Sequence, residues 1–292
     1  MRTPLLRRCA AGCGLLLTII AAAVLAHPAE ATPAREPQLA PPVPPATLCG
    51  SWSQRALYPG AYGTVGTAMV AQGGVLYRFS ETSSSYKYDP ATDVWTAISS
   101  PSIETGASAV GDGTYIYLLN GNISATTFSR YDPATDHYTT LAVPPHNSTR
   151  QSEVYLNGYI YRIGGAGPTV DRYSISTGAW APPGTVADYP LLLSVYPLWG
   201  LKAIAANGYL YAAGGTTNND TVIKTYRYDP GTNTWDDAAI TDLPEGRAYA
   251  MGDILDGRWL ITGGLSVNHQ FAFDTIALDL STPNGAWSSL PW

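Results

Sequence analysis

The stretch "YKYDPATDVW" at residues 86–95 recurs as "SRYDPATDHY" at residues 129–138 and as "YRYDPGTNTW" at residues 226–235. In each copy the aspartate can accept a hydrogen bond from the backbone two residues later, and the proline restricts its own φ angle. These properties favour a tight turn between two strands, and the flanking tyrosine and tryptophan are residues that strands prefer. The repetition therefore predicts one local structure that the chain uses several times.

The turns recur at intervals that fit a repeat of four strands. The aromatic residue that ends each turn returns every 42 to 55 residues, at Trp95, Tyr138, Trp180, Trp235 and Trp287. Each turn follows an alternating, aromatic-rich run, and several runs are preceded by an Asn-Gly or Asp-Gly pair, which is a hairpin signal. Three runs end in two glycines. We therefore divide the chain into five units of four antiparallel strands, at residues 60–101, 102–145, 146–188, 189–244 and 245–292.

A strand that ends in two glycines, followed by a Tyr-Asp-Pro-x-Thr turn and a tryptophan, resembles the kelch repeat. The resemblance covers roughly residues 50–292, and it departs from the pattern at residues 80–81, 120–121 and 174–175. Kelch repeats form β-propellers with one four-stranded antiparallel sheet, or blade, per repeat. The resemblance thus implies an all-β propeller with five complete blades. Residues 50–60, "GSWSQRALYPG", predict an extra N-terminal strand, so a five-bladed ring, a six-bladed ring and a part of a larger ring stay open.

The N-terminal segment has the features of an export signal. Residues 1–31 combine basic arginines, an apolar run from 9 to 26 and the small-residue pattern Ala29-Glu30-Ala31, as in a cleaved signal peptide. The alternative is an uncleaved membrane anchor, because the apolar run is long enough to cross a bilayer. Residues 32–48 are proline-rich and predict an extended linker, which leaves 49–292 as the propeller. We therefore expect a secreted, periplasmic or cell-surface protein.

Charge and cysteine content exclude several classes of function. Without residues 1–31 the chain has 13 basic and 21 acidic residues, a formal charge of −8, and no cluster of basic residues, which argues against nucleic acid as a partner. Cys49 would be the one remaining cysteine, so no internal disulfide is expected. His137, His146 and His269 come from different repeats and lack the spacing of metal ligands. We expect no metal, no cofactor and no catalytic residue.

The strand order predicts which face carries the site. Because the strands alternate in direction, the loops between strands 2 and 3 share one face with the connections between blades. The hairpins between strands 1 and 2 and the Tyr-Asp-Pro turns share the other. Loop length varies on the first face (the variable face) and hardly at all on the second (the turn face). Variable loops on a rigid scaffold favour binding, so we place the site on the variable face. Its longest connection contains "YPLLLSVYPLWG" at residues 189–200, which either forms an apolar binding patch or folds down and seals the ring.

The candidate residues on the variable face are of three kinds. Charged residues near the start of first strands suit an anionic or hydroxylated ligand, aromatic residues suit sugar stacking, and polar loop residues suit hydrogen bonds to hydroxyl groups. The candidates are Arg150, Arg247, Glu104, Lys202, Tyr196, Trp199, Asn122 and His269. The alternative for the charged residues is that they are solvated or paired at the rim of the channel.

These features together predict an exported, non-catalytic binding or adhesion module for a glycan or an extracellular protein, of open oligomeric state. The alternative function is a carbohydrate-modifying enzyme. Some kelch propellers interconvert sialic acid anomers, and such a reaction needs only acid and base groups in the channel. Glu104, Glu153, Arg150 and Arg247 are the residues that could serve this chemistry.

Overall fold

The structure is a computed structural model, and it describes residues 53–60, 67–80, 84–101, 103, 106–121, 126–190, 197–217, 220–267 and 270–290. The signal peptide and linker predicted from the sequence lie outside these residues and stay predictions. The described residues form five antiparallel sheets, the blades, each built on four strands in chain order, and one blade has a fifth, short strand. The described residues form no helix with the length and apolar character that a membrane span requires.

Blades 1 and 2 come first in the chain. Blade 1 consists of β1 Thr67–Gln72, β2 Val75–Ser80, β3 Ser85–Asp89 and β4 Val94–Ile98. Blade 2 consists of β5 Ser108–Gly111, β6 Ile116–Asn120, β7 Thr127–Asp132 and β8 His137–Thr140.

Blades 3 to 5 follow, and blade 4 carries one additional two-residue strand. Blade 3 consists of β9 Ser152–Leu156, β10 Tyr159–Ile163, β11 Val170–Ser174 and β12 Ala179–Trp180. Blade 4 consists of β13 Trp199–Ala206, β14 Tyr209–Thr217, β15 Asp220–Thr221, β16 Thr225–Asp229 and β17 Thr234–Asp236, with β15 paired to β14. Blade 5 consists of β18 Met251–Leu255, β19 Arg258–Thr262, β20 Thr275–Asp279 and β21 Ser288–Leu290.

The blades are arranged as a five-bladed β-propeller, which confirms the predicted all-β fold and its five repeats. The inner strands of successive blades pack side by side, β1 against β5, β5 against β9, β9 against β13 and β13 against β18. They surround the central channel. The antiparallel order also places the loops on the two faces as the strand directions predicted.

The hairpins between first and second strands use left-handed backbone, as the Asn-Gly pairs predicted. Asn157 and Gly158 have φ of 51° and 81°, and Asn207 and Gly208 have φ of 52° and 82°. Two consecutive positive φ values give the type of turn whose twist matches that of the two strands it joins.

The Tyr-Asp-Pro turn ties each blade to the connection before it. In blade 2, Asp132 accepts a 2.9 Å hydrogen bond from the Ala134 N–H, as the sequence predicted. The Tyr131 hydroxyl donates to Asp136 at 2.8 Å, and the same carboxylate accepts the Ser99 N–H at 2.9 Å from the connection between blades 1 and 2. The repeated turn is therefore a clamp between neighbouring blades as well as a hairpin.

The segment before β1 takes the place of such a connection for blade 1. The Trp95 indole N–H donates to the Ala56 carbonyl at 3.0 Å. Tyr58 packs edge-on against Trp95, with ring centroids 5.3 Å apart, just as Tyr189 packs against Trp235 at 5.2 Å in blade 4.

These contacts correct one prediction. Residues 53–60 contain no strand, although an extra strand was expected over residues 50–60. The backbone of Ala56 is bonded instead to the side chains of Trp95 and Asp93. Residues 50–52 lie outside the described residues.

Four apolar clusters fill the interfaces between successive blades from blade 1 to blade 5. At equivalent positions in the second strands of blades 1 to 4, a tyrosine at most 6% exposed faces the next blade: Tyr77, Tyr117, Tyr161 and Tyr211. Each such burial contributes roughly 1.5–3 kcal/mol. Blade 5 has Leu260 at this position, and its inner strand has Asp253 where the other blades have Val or Ile. Correspondingly, no apolar cluster among the described residues joins blade 5 to blade 1.

Candidate functional site

The inner strands of blades 2 to 5 begin, on the variable face, at a ring of left-handed residues. Gly106, Arg150, Gly200 and Tyr249 have φ of 91°, 59°, 66° and 55°. Consecutive backbone hydrogen bonds join them. The N–H of each of the last three donates to the carbonyl of the residue before it in this order, at 3.0, 2.8 and 2.8 Å. We call these four residues the mouth ring.

Two members of the mouth ring hold their conformation at an energetic cost. Glycine adopts positive φ freely, whereas other residues lose about 1–2 kcal/mol there. Arg150 and Tyr249 are therefore strained relative to Gly106 and Gly200. Strained residues of this kind concentrate at functional sites, so the two side chains mark the mouth as the candidate site.

The side chains of three consecutive blades meet at this point. The guanidinium carbon of Arg150 lies 5.3 Å from the ring centroid of Trp199 and 5.9 Å from that of Tyr249, within the range of cation–π attraction. The Arg150 side chain is exposed. No carboxylate of the described residues lies within ion-pair distance of it. We call Arg150, Trp199 and Tyr249 the mouth cradle; the sequence predicted the first two and missed the third.

Trp199 differs from the tryptophans that clamp the blades. The indole N–H groups of Trp95, Trp180, Trp235 and Trp287 each donate to a carbonyl of the connection before their blade. The indole N–H of Trp199 has no acceptor among the described residues. Trp199 thus does not tie its blade to the preceding connection, which is consistent with a place in a binding site.

Lys202 lies on β13, two residues beyond the mouth ring. Its side chain is half-buried, so water still reaches part of its surface. Burial lowers the pKa of the Lys202 ammonium, and the Asp253 carboxylate of the next blade opposes that shift. An acidic side chain therefore faces Lys202, and its place in a binding site stays a prediction.

Arg247 does not line the mouth in the way the sequence predicted. It is 4% exposed. Its two terminal nitrogens donate to the two carboxylate oxygens of Asp274 at 2.8 and 3.3 Å. The loop between β19 and β20 supplies Asp274, which encloses and neutralises the guanidinium. Arg247 thus corresponds to the alternative of a paired charge at the rim.

Four predicted site residues, Glu104, Asn122, Tyr196 and His269, lie outside the described residues and stay predictions. The described ends of the apolar connection are buried, with Tyr189 1% and Leu198 0% exposed. Both belong to the cluster between blades 3 and 4. These residues agree with the alternative in which the connection folds down onto the ring.

The rim of blade 5 exposes large apolar side chains next to the mouth cradle. Phe271 and Phe273, on the loop between β19 and β20, are 73% and 72% exposed, and Met251 at the start of β18 is 42% exposed. Backbone bridges join Ala248 to Leu265 and Leu265 to Phe271, so this loop lies beside the mouth ring. We call Met251, Phe271 and Phe273 the apolar rim; sequence reasoning missed it.

Blade 3 contains a buried charged network on its face toward blade 2. Arg162 is fully buried, and its Nε donates to Asp171 at 2.8 Å. The other carboxylate oxygen of Asp171 lies 2.8 Å from Nδ1 of His146. Among the described residues, no group of three or more His, Cys, Asp or Glu side chains is arranged to hold a metal ion. The network is therefore a set of paired charges that holds the variable-face end of blade 3 together.

Glu153 is a buried carboxylate beside this network. It is paired across β9 and β10 with Arg162, is 7% exposed, and neither of its carboxylate oxygens has a hydrogen-bond partner among the described residues. Burial raises the pKa of Glu153 well above its ordinary value. Ser108 and the charge of Arg162 oppose this rise in the pKa in part. Ser108 does so without a hydrogen bond to either Glu153 oxygen. Because Asp171 already neutralises Arg162, a protonated Glu153 keeps the network neutral.

The raised pKa makes the protein less stable as the pH rises. The folded-state pKa of Glu153 exceeds the unfolded one, so its contribution to stability is complete below about pH 4 and is lost as the pH rises toward the folded pKa. We expect Glu153→Gln to raise the free energy of unfolding by about 1–3 kcal/mol at pH 8 and to change it little at pH 4. Urea unfolding across this pH range measures the effect. The exposed Glu245→Gln is the control, and an equal gain at both pH values for Glu153→Gln would contradict the expectation.

Comparisons with known proteins agree with this architecture. The kelch motif model matches residues 200–240. Kelch-like protein 15 of Danio rerio is 26% identical over 225 residues, which cover 69% of this chain and 37% of that protein. Kelch-like protein terF of Aspergillus terreus is 27% identical over 252 residues, which cover 74% of this chain and 52% of that protein. The chain thus spans between 37% and 52% of the length of these two relatives.

A solved structure shows the same fold. The structure of YjhT aligns with a TM-score of 0.63 and 16% sequence identity, over 82% of this chain and 88% of that one. The matched motif falls on blade 4, and the other sheets repeat the strand order of that blade. The comparisons therefore support the predicted kelch-repeat family, and the chain folds as a five-bladed β-propeller.

Proposed function

We propose that this protein is an exported binding module that holds a partner protein on its variable face. The observation that carries the proposal is the apolar rim, where two phenylalanines are 73% and 72% exposed beside the mouth cradle. Apolar side chains grouped in this way mark interaction surfaces, and aromatic residues dominate the energy of protein interfaces. Kelch-repeat proteins generally bind other proteins, which fits this surface.

The loop that carries the rim is held in place before any partner binds. Leu265 and Ala248 exchange two backbone hydrogen bonds of 2.8 and 2.9 Å, and the Ala272 N–H donates to Gly264 at 2.9 Å. The ion pair between Arg247 and Asp274 fixes the far end of the loop. A preformed surface loses less conformational entropy on association. This supports the use of the rim as a docking site.

Export and an extracellular partner are part of the same proposal. They rest on residues 1–31, with their basic start, apolar run and small-residue cleavage pattern, and on the proline-rich linker that follows.

Two of the residues named for the enzymatic alternative, Glu153 and Arg247, are not available to a sugar in the channel. That chemistry requires acid and base groups that a sugar in the channel can reach. Glu153 is enclosed between blades 2 and 3 at 7% exposure, and Arg247 is paired with Asp274. Glu104 lies outside the described residues.

Selection of peptides from a phage library of random dodecamers, with the full chain as bait, tests the proposal. We expect enriched peptides to bind in solution, as measured by fluorescence polarisation of the labelled synthetic peptides. The double variant Phe271→Ser, Phe273→Ser should weaken them by at least about tenfold, since central aromatic residues contribute about 2 kcal/mol or more to such interfaces.

Val94→Ser is the matched control, because Val94 is 49% exposed on the turn face; it should leave the affinity within about twofold. Equal affinity of all three proteins would place the site elsewhere and contradict the proposal. If no peptide is enriched while a glycan array shows binding that the double variant loses, the ligand is a glycan and the protein-partner proposal is wrong.

A further inference from the structure

We infer that the mouth cradle is a carboxylate-binding subsite, in which Arg150 receives an acidic side chain of the partner next to apolar side chains that rest on the apolar rim. The inference rests on the proposed function and adds to it the chemical class of the recognised group.

The described residues of the cradle leave the guanidinium N–H groups of Arg150 available to a ligand. Trp199 and Tyr249 attract the guanidinium at 5.3 and 5.9 Å, which restrains it without using its hydrogen-bonding capacity. A guanidinium carries five N–H donors in a planar fork that matches the two oxygens of a carboxylate. No side-chain acceptor among the described residues is bonded to Arg150. The side chain is therefore positioned before a ligand arrives.

Among the described residues, the mouth carries one cation that no acidic group compensates. Arg247 is bonded to Asp274, and Lys202 faces Asp253. Within the part of the chain that the structure describes, Arg150 has no such counterpart. A chain of net negative charge does not attract anions at long range, so recognition of a carboxylate depends on this local group.

The backbone gives an independent reason to assign a function to Arg150. The same place in the mouth ring is glycine in blades 2 and 4, at Gly106 and Gly200. A glycine at position 150 would remove the strain of a left-handed non-glycine residue. The arginine side chain is thus present where the fold alone favours glycine, and it meets Tyr249, the other strained residue of the ring.

The neighbouring surface defines what accompanies the carboxylate. Met251 follows Tyr249 by two residues on β18, and Phe271 and Phe273 lie on the adjacent loop. A ligand on this surface meets one cation and several exposed apolar side chains. An acidic residue flanked by apolar residues has the complementary chemistry.

Two peptide pools measure this preference with the full chain. Every peptide of one pool has a central Glu and every peptide of the other has a central Gln, with random residues on both sides. Mass spectrometry measures the fraction of each pool that the chain retains. We expect the wild-type chain to retain the Glu pool at least about tenfold more than the Gln pool, as charge-assisted hydrogen bonds allow. Raising the salt concentration from 50 to 500 mM should reduce that ratio.

Variants at position 150 separate recognition from folding. Arg150→Gln should bring the ratio of the two pools to about one, and Arg150→Lys should retain part of it because the charge remains without the fork. Arg150→Gly should also abolish the preference, yet unfold at a temperature no lower than wild type, because it matches the backbone of Gly106 and Gly200. Arg258→Gln, at the turn-face end of β19, is the matched control and should keep the preference.

The outcomes distinguish this inference from the proposed function. If peptides of both pools bind equally and Phe271→Ser weakens both, the partner-binding function stands and the carboxylate subsite is wrong. If neither pool binds but glucuronate binds in an Arg150-dependent way, while glucose does not, the subsite is real and its carboxylate comes from an acidic sugar, against the protein-partner proposal. If Arg258→Gln reduces the preference as much as Arg150→Gln does, the effect is general electrostatics and the subsite is wrong. If nothing binds, both are wrong.

Discussion

Replacement of Asp171 by alanine is expected to lower the free energy of unfolding by about 3–5 kcal/mol, the range measured when one partner of a buried ion pair is removed. Asp171 is 2% exposed, and its carboxylate accepts the Arg162 Nε–H at 2.8 Å. Its loss leaves a fully buried guanidinium with only carbonyl and hydroxyl acceptors, from Gly164 and Thr169. Urea unfolding followed by tryptophan fluorescence measures the change.

A surface ion pair provides the comparison. Lys224 and Asp237 lie 3.5 Å apart and their side chains are 42% and 53% exposed, so Asp237→Ala should cost less than about 1 kcal/mol. The double variant Arg162→Met, Asp171→Leu should recover most of the stability lost in Asp171→Ala, because it removes both buried charges. An Asp171→Ala protein as stable as Asp237→Ala would show that the buried network contributes little.

The repeat could be predicted from the sequence because its determinants are local. In the turn at 89–92, the aspartate bonds to a backbone N–H two residues later, and the Asn-Gly hairpin at 157–158 needs only two residues with positive φ. Such signals lie within a few residues of one another and recur at a steady interval. They therefore indicate the strand order, and with it the face that carries the variable loops.

The pairing of charges could not be predicted in the same way. Arg247 and Asp274 are separated by 27 residues, and Arg162 meets Asp171 only because β10 and β11 pair in that register. A sequence pattern that places an arginine at the start of a strand does not show whether a loop brings a carboxylate to it. This is why Arg150 and Arg247 were equivalent candidates in the sequence. In the structure Arg150 is exposed, whereas Arg247 is paired with Asp274.

The mouth itself depends on departures from the repeat. No local signal distinguishes Tyr249 from other tyrosines, since its positive φ accompanies a backbone hydrogen bond to Gly200 of the preceding blade. Phe271 and Phe273 lie on a long loop, and their exposure follows from the path of that loop. The prediction of an extra strand before blade 1 was wrong for a similar reason. The Ala56 carbonyl accepts a hydrogen bond from the indole of Trp95, a residue 39 positions away.

The glycine pair links the repeat to the mouth, and Gly214→Ala should lower the free energy of unfolding by about 2–5 kcal/mol. Gly214 has φ of 70°, and a Cβ atom there would lie 2.2 Å from the carbonyl oxygen of Arg247. The substitution therefore combines left-handed strain of about 1–2 kcal/mol with overpacking against backbone, which costs about 1–3 kcal/mol. Thermal and urea unfolding report the loss.

Gly208→Ala, in the same blade, measures the left-handed strain without the overpacking. Gly208 has φ of 82°, but a Cβ atom there meets nothing within 4 Å, so we expect a loss of only about 1 kcal/mol. The displaced carbonyl in Gly214→Ala belongs to Arg247, two residues before Tyr249, so this variant should also weaken peptide binding at the mouth, while Gly208→Ala should not. Equal losses of stability in the two variants would mean that close approach of the backbone is not what requires glycine at position 214.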